Sequence, residues 1–260
     1  MKQVCPECGF HWSWHLSDGR RKCRQCGYRY TSRSIWRSFR IGEALKRQIL
    51  DYFCLGVPVY RLRFHGLASR PTLDRFYRCC RVVMALDQEC TEPFDGDLEL
   101  DETMFGGRRK GKRGWGASGK VIVFGILKRN GQVRIFPIPR RNREEVMRLV
   151  RTNTKPGSLY FTDDWHAYAS LALRGNHVVV RKSGGVPMGR DHINGIEGFW
   201  SYAKHWLYPL RGVPKKLLHI FLGEISYRFN HRKESLYPLI LNMLRNTEIN
   251  AIKHYLVRNT

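Results

Sequence analysis

Two pairs of cysteines near the start of the chain constrain its folding more than any other feature. Cys5 and Cys8 form one CxxC pair, Cys23 and Cys26 form a second, and 14 residues separate the two pairs. Four thiolates at this spacing can close a tetrahedron around one zinc ion, and a glycine follows each pair where the chain must turn tightly. Because four cysteines complete the coordination of zinc, we expect a structural ion, with four unligated buried cysteines as the alternative.

The residues around these pairs predict a small zinc ribbon followed by helices. Apolar and aromatic residues between the pairs predict two short strands joined by a turn at Asp18. Beyond the ribbon, two apolar patterns recur at helical spacing and indicate a segment of the helix-turn-helix type. A plain helical packing module would explain the same pattern, because the sequence signature of a helix-turn-helix is weak.

The charge of the chain points to a polyanionic partner. Among the 260 residues, 46 lysines and arginines stand against 22 acidic residues, which gives a formal net charge of +24. An excess of this size favours nucleic acid as the partner, with a merely basic surface as the alternative. No stretch reaches the roughly 18 apolar residues that a membrane span needs, and no apolar signal region precedes Cys5, so we expect a cytoplasmic protein.

From residue 97 onward the pattern changes to strands and indicates a mixed α/β domain. Residues 97–105 predict one strand, and residues 120–138 predict a hairpin that turns at Asn130. A helix, a strand, a short helix, a strand and a final helix follow in the pattern. This order predicts a mixed sheet flanked by helices, which can bring carboxylates at strand ends beside a carboxylate on the last helix.

The last of these helices has two distinct faces. At 100° per residue, Asn194, Glu197, Ser201 and Lys204 fall within about 80° of one another, and apolar and aromatic residues fill the opposite side. We therefore expect the helix to bury its aromatic face and to turn Glu197 and Lys204 toward one site. The alternative is an ordinary solvated polar face, which any amphipathic helix has.

Two aspartates complete a candidate metal site. Asp101 and Asp163 are each followed by a break in the apolar pattern at a predicted strand end, and together with Glu197 they could hold two Mg²⁺ ions. Such a site performs in-line phosphoryl transfer. Strand alternation does not choose between Asp101 and Glu102, and Asp164 competes with Asp163 for the role of ligand.

Four segments occur in order behind the cysteine pairs: LDETMFGG, YFTDDWHAY, HINGIEGFWSYAK and YRFNHRK. In combination they resemble the DDE insertion-sequence transposases that carry an N-terminal zinc ribbon, over residues 5 to about 245. The resemblance implies an RNase H-like core with Asp101, Asp163 and Glu197 as the catalytic, metal-binding triad. It also implies a contact between Lys204 and the transposon end.

Further DNA contacts are expected on both sides of the triad. Asn194, one turn before Glu197, matches the same motif, and it would orient the glutamate or touch DNA. Residues 106–120 are rich in glycine and basic residues, which suits a mobile loop that contacts phosphates, with a solvated charged face as the alternative. The candidate DNA-binding residues of this loop are Arg108, Arg109, Lys110, Lys112, Arg113 and Trp115.

The sequence thus predicts a DNA transposase that binds terminal inverted repeats, cleaves the DNA at the element ends and transfers the strands to target DNA. Its expected cofactors are two Mg²⁺ or Mn²⁺ ions and one structural Zn²⁺ ion. Because two ends must be held together, we expect a homodimer or a larger oligomer on DNA, in the bacterial cytosol and associated with the nucleoid. The alternatives are a domesticated zinc-ribbon DNA-binding protein without catalysis and a structure-selective nuclease of the RNase H-like fold.

The expected fold class is α/β, with an RNase H-like catalytic core preceded by a zinc ribbon and a helical DNA-binding segment. The expected boundaries are 1–35 for the ribbon, 40–92 for the helical segment, 95–246 for the catalytic domain and 247–260 for a C-terminal tail.

Overall fold

The computed structural model describes residues 5–31, 33–89, 91–106, 120–129, 131–180, 192–210 and 212–258. The chain forms two compact units. The first, here called the terminal unit, combines the residues up to Asp87 with those from His231 onward. The second, here called the sheet unit, runs from Gln88 to Asn230. Within the described residues, no helix combines the length and the apolar character that crossing a bilayer requires.

The terminal unit begins with a small antiparallel sheet that holds the cysteine pairs. Its strands, in the order β1-β2-β3, are β1 (Ser13–His15), β2 (Arg21–Cys23) and β3 (Arg29–Tyr30). The turn that was predicted at Asp18 joins β1 to β2, with Gly19 at a φ of 77°. Gly9 and Gly27, which follow the two cysteine pairs, have φ values of 74° and 72°, a conformation that glycine adopts without strain. The third strand was not expected from the sequence.

The rest of the terminal unit is helical, and it uses both ends of the chain. Its helices are α1 (Ile35–Ser38), α2 (Glu43–Cys54), a 3-10 helix (Val59–Phe64), the greater part of α3 (Arg70–Glu89), α7 (Leu236–Asn246) and α8 (Ile249–Arg258). Helix α7 packs against α1 and α2, and the Ile35 N–H donates to the carbonyl of Thr247 at 2.9 Å. The structure therefore divides the chain at Asn230, whereas the sequence placed residues up to 246 in the catalytic domain and expected a tail beyond them.

The sheet unit contains a five-stranded mixed sheet. Its strands are β4 (Asp97–Phe105), β5 (Val121–Lys128), β6 (Gln132–Ile138), β7 (Leu159–Thr162) and β8 (Asn176–Val179), in the order β6-β5-β4-β7-β8. Strands β4, β5 and β6 are antiparallel, while β7 and β8 run parallel to β4. The predicted α/β class, a mixed sheet flanked by helices behind a cysteine module and a helical segment, is confirmed.

Helices cover both faces of this sheet. They are α4 (Arg143–Asn153), a 3-10 helix (His166–Leu173), α5 (Asn194–Leu207), short 3-10 helices at Tyr208–Leu210 and Lys215–Leu217, and α6 (Leu218–Asn230). Because side chains alternate along β4, Leu98 and Leu100 lie in one apolar core with α4 and the 3-10 helix His166–Leu173. The opposite core is built from α5 and α6, and it buries Ile196, Phe199 and Trp200. The aromatic face of α5 is thus buried, as the sequence predicted.

Candidate functional site

Asp101 lies inside strand β4, at the level where the parallel neighbour of β4 ends. Strand β5 pairs with β4 as far as Phe105, whereas β7 pairs with it over Asp97 to Glu99. Asp101 was predicted at a strand end, but β4 continues to Phe105, and the strand that ends beside Asp101 is β7. Paired residues of β4 and β7 are 62 positions apart in the sequence. Asp101 and Asp163 are also 62 positions apart, so they lie at the same level of the two neighbouring strands.

The side chain of Asp101 points to the face of the sheet that α5 covers. The indole Nε1 of Trp200 donates to Oδ2 of Asp101 at 3.0 Å. Directly opposite Asp101 in β5 stands Gly125, and a Cβ atom at that position would lie 2.7 Å from the Trp200 ring. Helix α5 therefore approaches the sheet closely beside Asp101.

Glu102 lies on the opposite face and is only 5% exposed. Its Oε1 is 3.6 Å from Nε of Arg141. Burial raises the pKa of Glu102 to about 7, although the Arg141 guanidinium opposes this shift, and the charges of Asp101 and Asp163 add to it. Because α5 covers the other face, Glu102 does not share a face with that helix, and this distinction was not visible in the sequence.

Asp163 follows β7 directly and is half-buried, whereas Asp164 is exposed. Oδ1 of Asp163 accepts a hydrogen bond from the backbone N–H of Trp165 at 3.1 Å. Burial raises the pKa of the Tyr168 hydroxyl well above its ordinary value, and the charges of Glu102, Asp101 and Asp163 contribute to the shift. Asp101 and Asp163 therefore lie near enough to act electrostatically on the same buried groups.

Glu197 is half-buried and precedes Trp200 by about one helical turn. Residues one turn apart have Cβ atoms about 5–6 Å from each other, so the Glu197 side chain leaves α5 beside the attachment point of the Trp200 side chain. The other members of the predicted polar stripe, Asn194, Ser201 and Lys204, are exposed.

The three carboxylates do not form a compact cluster of ligand atoms. Within the described ranges, one set of at least three Cys, His, Asp or Glu residues has all its ligand atoms within 4.8 Å of one another, and it consists of the four N-terminal cysteines. Binding of metal by Asp101, Asp163 and Glu197 therefore stays a prediction.

Glu99, which was not among the predicted site residues, attaches the start of α5 to the sheet. Glu99 is 1% exposed, and its Oε2 accepts from the Ile196 N–H at 2.8 Å. Its Oε1 accepts from Nε of Arg129 at 3.0 Å. A Cβ atom at Gly195 would lie 2.8 Å from Oε2, so the glycine leaves room for the carboxylate. The available sequence signal was its parity with Asp101, since both residues alternate onto one face of β4.

Residues 93–230 match the family model of the ISXO2-like transposase domain. The match spans more than half of the chain and nearly all of the sheet unit. The chain belongs to the ISXO2-like transposase family. The resemblance to insertion-sequence transposases that the four sequence segments indicated is thereby confirmed.

Two relatives agree with this membership. A transposase-like protein of Haemophilus influenzae is 30% identical to this transposase over 95 residues, which cover 36% of this chain and 77% of the relative. A protein in the transposable element ISH50 of Halobacterium salinarum is 26% identical over 199 residues, which cover 69% of this chain and 67% of the relative.

Solved structures align with this transposase more weakly. A chain of the simian T-cell lymphotropic virus intasome in complex with the PP2A regulatory subunit B56 gamma aligns over 72% of this chain and 68% of its own, with 13% identity and a TM-score of 0.35. The Mos1 transposase paired-end complex with the left transposon end aligns over 80% of each chain, with 10% identity and a TM-score of 0.28. TM-scores this low do not establish a shared fold, so family membership rests on the sequence matches.

The N-terminal cysteines of the transposase are arranged as a metal site. Sγ of Cys5 lies 3.6 Å from Sγ of Cys26, and Sγ of Cys8 lies 3.5 Å from Sγ of Cys23. A tetrahedron of sulfurs about 2.3 Å from a zinc ion has edges of about 3.8 Å, so the four thiols are compatible with structural zinc.

The predicted DNA-binding residues fall into two groups. Lys204 and Asn194 lie on the exposed stripe of α5. The basic loop residues Arg108, Arg109, Lys110, Lys112, Arg113 and Trp115 lie outside the described residues.

Proposed function

We propose that this ISXO2-like transposase binds the terminal inverted repeats of an insertion sequence, cleaves the DNA at the element ends and joins them to target DNA. Asp101, Asp163 and Glu197 would hold two Mg²⁺ or Mn²⁺ ions at the site where both reactions occur. The observation that carries the proposal is the hydrogen bond from Trp200 to Asp101, because it attaches the helix of Glu197 to the strand of Asp101. Glu102, on the other face, has no comparable link to α5.

The donor set fits the proposed cations. Carboxylate oxygens are the ligands that hard divalent cations prefer. When bound, such ions would lower the pKa of the attacking water and stabilise the charge that develops on the leaving oxygen. Asp163 and Glu197 are half-buried rather than enclosed, which suits a site that must admit a polymeric substrate.

The side chains around the triad have separate tasks in this proposal. Trp200 donates to Oδ2 of Asp101 and so positions this carboxylate for binding a cation. Lys204, exposed in the last turn of α5, would contact the phosphodiester backbone of the element end. Water attack on phosphorus would break its bond to the 3′ oxygen and leave a 3′ hydroxyl and a 5′ phosphate. That hydroxyl would then attack a target phosphodiester, form a new bond to its phosphorus and displace the 3′ oxygen of the target strand as a hydroxyl.

The terminal unit would supply recognition of the element ends. Four thiolates at tetrahedral spacing would hold one structural Zn²⁺ ion, and the ribbon and helices would carry the DNA-binding surface. Because two ends must react together, we also propose that the active form on DNA is a homodimer or a larger oligomer.

Cleavage and joining of a labelled duplex that carries the element's own ends, in Mg²⁺ or Mn²⁺, tests the proposal with two matched pairs of variants. Asp101→Asn and Asp163→Asn should each lower the rate of both reactions at least about 100-fold, equivalent to about 2.7 kcal/mol of transition-state stabilisation. Their neighbours Glu102→Gln and Asp164→Asn should retain activity, because Glu102 faces away from α5 and Asp164 is exposed.

The outcomes separate this proposal from its rivals. Retained cleavage in Asp101→Asn, together with its loss in Glu102→Gln, would overturn the choice of ligand. Cleavage without joining would indicate a nuclease, and tight end binding without any chemistry would indicate a DNA-binding protein that lacks catalysis.

A further inference from the structure

The terminal unit carries a surface groove of about 580 Å³ whose lining is strongly basic. Four cationic side chains contribute to it, and none of the lining residues is acidic. The cations are Arg33, Arg40, Arg75 and Lys253. Ser38 and Thr72 add hydroxyl groups, and Phe39, Ile41 and Ile249 supply apolar surface. This set is called the basic groove below.

Three separated parts of the chain build the basic groove. Arg33 and Arg40 flank α1, Arg75 stands in the second turn of α3, and Lys253 lies on α8. The backbone N–H of Ile249 donates to the carbonyl of Arg33 at 3.0 Å, which fixes the start of α8 beside the N-terminal residues. The C-terminal helix, in a segment expected to be a tail, therefore contributes to a surface of the N-terminal module.

Among the residues that the structure describes, the cations of the basic groove are not paired with carboxylates. In the part of the chain that the structure describes, no carboxylate oxygen lies within 4.0 Å of the four cationic groups. By contrast, Lys46, Arg47 and Arg245 in the same unit all pair with Glu43.

A second arginine-lined groove, in the sheet unit, differs because an acidic residue, Glu144, belongs to its lining. There Arg148 pairs with Glu145 at 2.8 Å, and the guanidinium of Arg174 donates to the carbonyl of Arg151 at 3.1 Å. Two of the four arginines in that groove, Arg148 and Arg174, therefore have partners in the fold. Four like charges converging without an acidic partner repel one another, and a polyanion would remove that repulsion.

We propose that the basic groove binds the phosphodiester backbone of duplex DNA. The inference deepens the proposed function, on which it rests, by naming a DNA-contacting surface that includes α8. Arginine, lysine, serine and threonine side chains are the usual donors to phosphate, and the groove contains all four types. Because phosphates carry no base identity, the groove would set the position of DNA without selecting its sequence.

Binding of the full-length protein to a labelled mixed-sequence duplex, measured by fluorescence anisotropy between about 50 and 200 mM salt, tests this inference. The double variant Arg75→Gln/Lys253→Gln should bind more weakly at every salt concentration. It should also reduce the slope of log affinity against log salt by about 2, because each lost phosphate contact removes about one unit. Lys253→Gln alone should remove about one unit and so test the part played by α8.

Arg63→Gln is the matched control, because Arg63 is an exposed arginine of the same unit that does not line the groove. It should leave the slope near that of the wild type. All the substituted side chains are exposed, and unchanged thermal unfolding would verify that the variants fold.

An unchanged slope in the double variant, or an equal loss in Arg63→Gln, would overturn the assignment of the groove while leaving the proposed transposase function intact. A wild-type protein that binds no duplex would overturn both.

Discussion

Gly125 lies directly opposite Asp101 in the β4–β5 ladder, and the indole of Trp200 occupies the space where a side chain would stand. A Cβ atom there would lie 2.7 Å from the Trp200 ring and 3.0 Å from Cδ1 of Ile196. The close approach of α5 to the sheet, and with it the hydrogen bond to Asp101, depends on the absence of one methyl group.

Gly125→Ala should therefore lower the free energy of unfolding by about 1–3 kcal/mol, the usual cost of overpacking a core. It should also weaken the contact between Trp200 and Asp101, because α5 must move away from β5. Denaturant unfolding followed by tryptophan fluorescence measures both effects.

Gly198→Ala supplies the control, because Gly198 lies on α5 and a Cβ atom there would meet nothing within 4 Å. Replacing an exposed helical glycine by alanine should stabilise the protein by about 0.5–1 kcal/mol. Equal destabilisation by both changes would mean that the helix, rather than its contact with Gly125, is sensitive to substitution.

At the scale of elements, α5 is held on the sheet at two points along β4. The Trp200 side chain bonds to Asp101, and the start of the helix bonds to Glu99 through the Ile196 N–H. A carboxylate at a helix N-terminus is favoured by the unpaired N–H groups and by the helix dipole.

Glu99→Ala should lower the free energy of unfolding by about 3 kcal/mol or more. The change removes one partner of a buried ion pair and leaves the Arg129 guanidinium without that carboxylate. Glu145→Ala is the comparison, since Glu145 also pairs with an arginine but at the surface, where such a pair contributes about 1 kcal/mol or less. Chemical denaturation of both variants checks the difference. A cost for Glu99→Ala no larger than that for Glu145→Ala would contradict the anchoring role.

Local pattern predicted the elements of this chain well. Strand β4 has the bounds that its sequence pattern indicates, because the pattern breaks at the end of the strand. Strand β3 escaped prediction because a two-residue strand, Arg29–Tyr30, has no period of its own and exists only by pairing with β2.

The candidate site was less predictable, because its geometry depends on which face of the sheet α5 covers. Residue types indicated three carboxylates, but Asp101 and Glu102 differ by one position and therefore by one face. The packing of Trp200 against Gly125 shows which face of the sheet α5 covers, and local sequence spacing contains no signal for it. The position of Lys253 was equally invisible in local sequence spacing. Lys253 lines the basic groove because the start of α8 bonds to the N-terminal residues of the same unit.

For the whole molecule, the cysteine site and the C-terminal helix belong to one unit. His254 on α8 contacts the carbonyl of Cys5 at 3.1 Å. Loss of metal should therefore loosen α8 as well as the ribbon.

Chelation of zinc should raise amide hydrogen exchange in residues 5–31 and in α8, while strands β4 to β6 keep their protection. Hydrogen exchange with mass spectrometry measures this directly. Cys23→Ser should reproduce the effect and lower the zinc content, whereas Cys54→Ser, outside the cluster, should not. Equal exchange across both units after chelation would contradict the division of the chain into separate compact units.

The joining of α7 and α8 to α1 and α2 has a consequence for the order in which a ribosome produces this fold. Helices α1 and α2 emerge early, but α7 and α8, which pack in the same unit, emerge after every strand of the sheet has been synthesised. A nascent chain therefore holds all three carboxylates of the proposed triad before its basic groove is complete, because Lys253 has yet to be added. Translation itself thus delays this part of the proposed DNA-binding surface until the strands of the sheet exist.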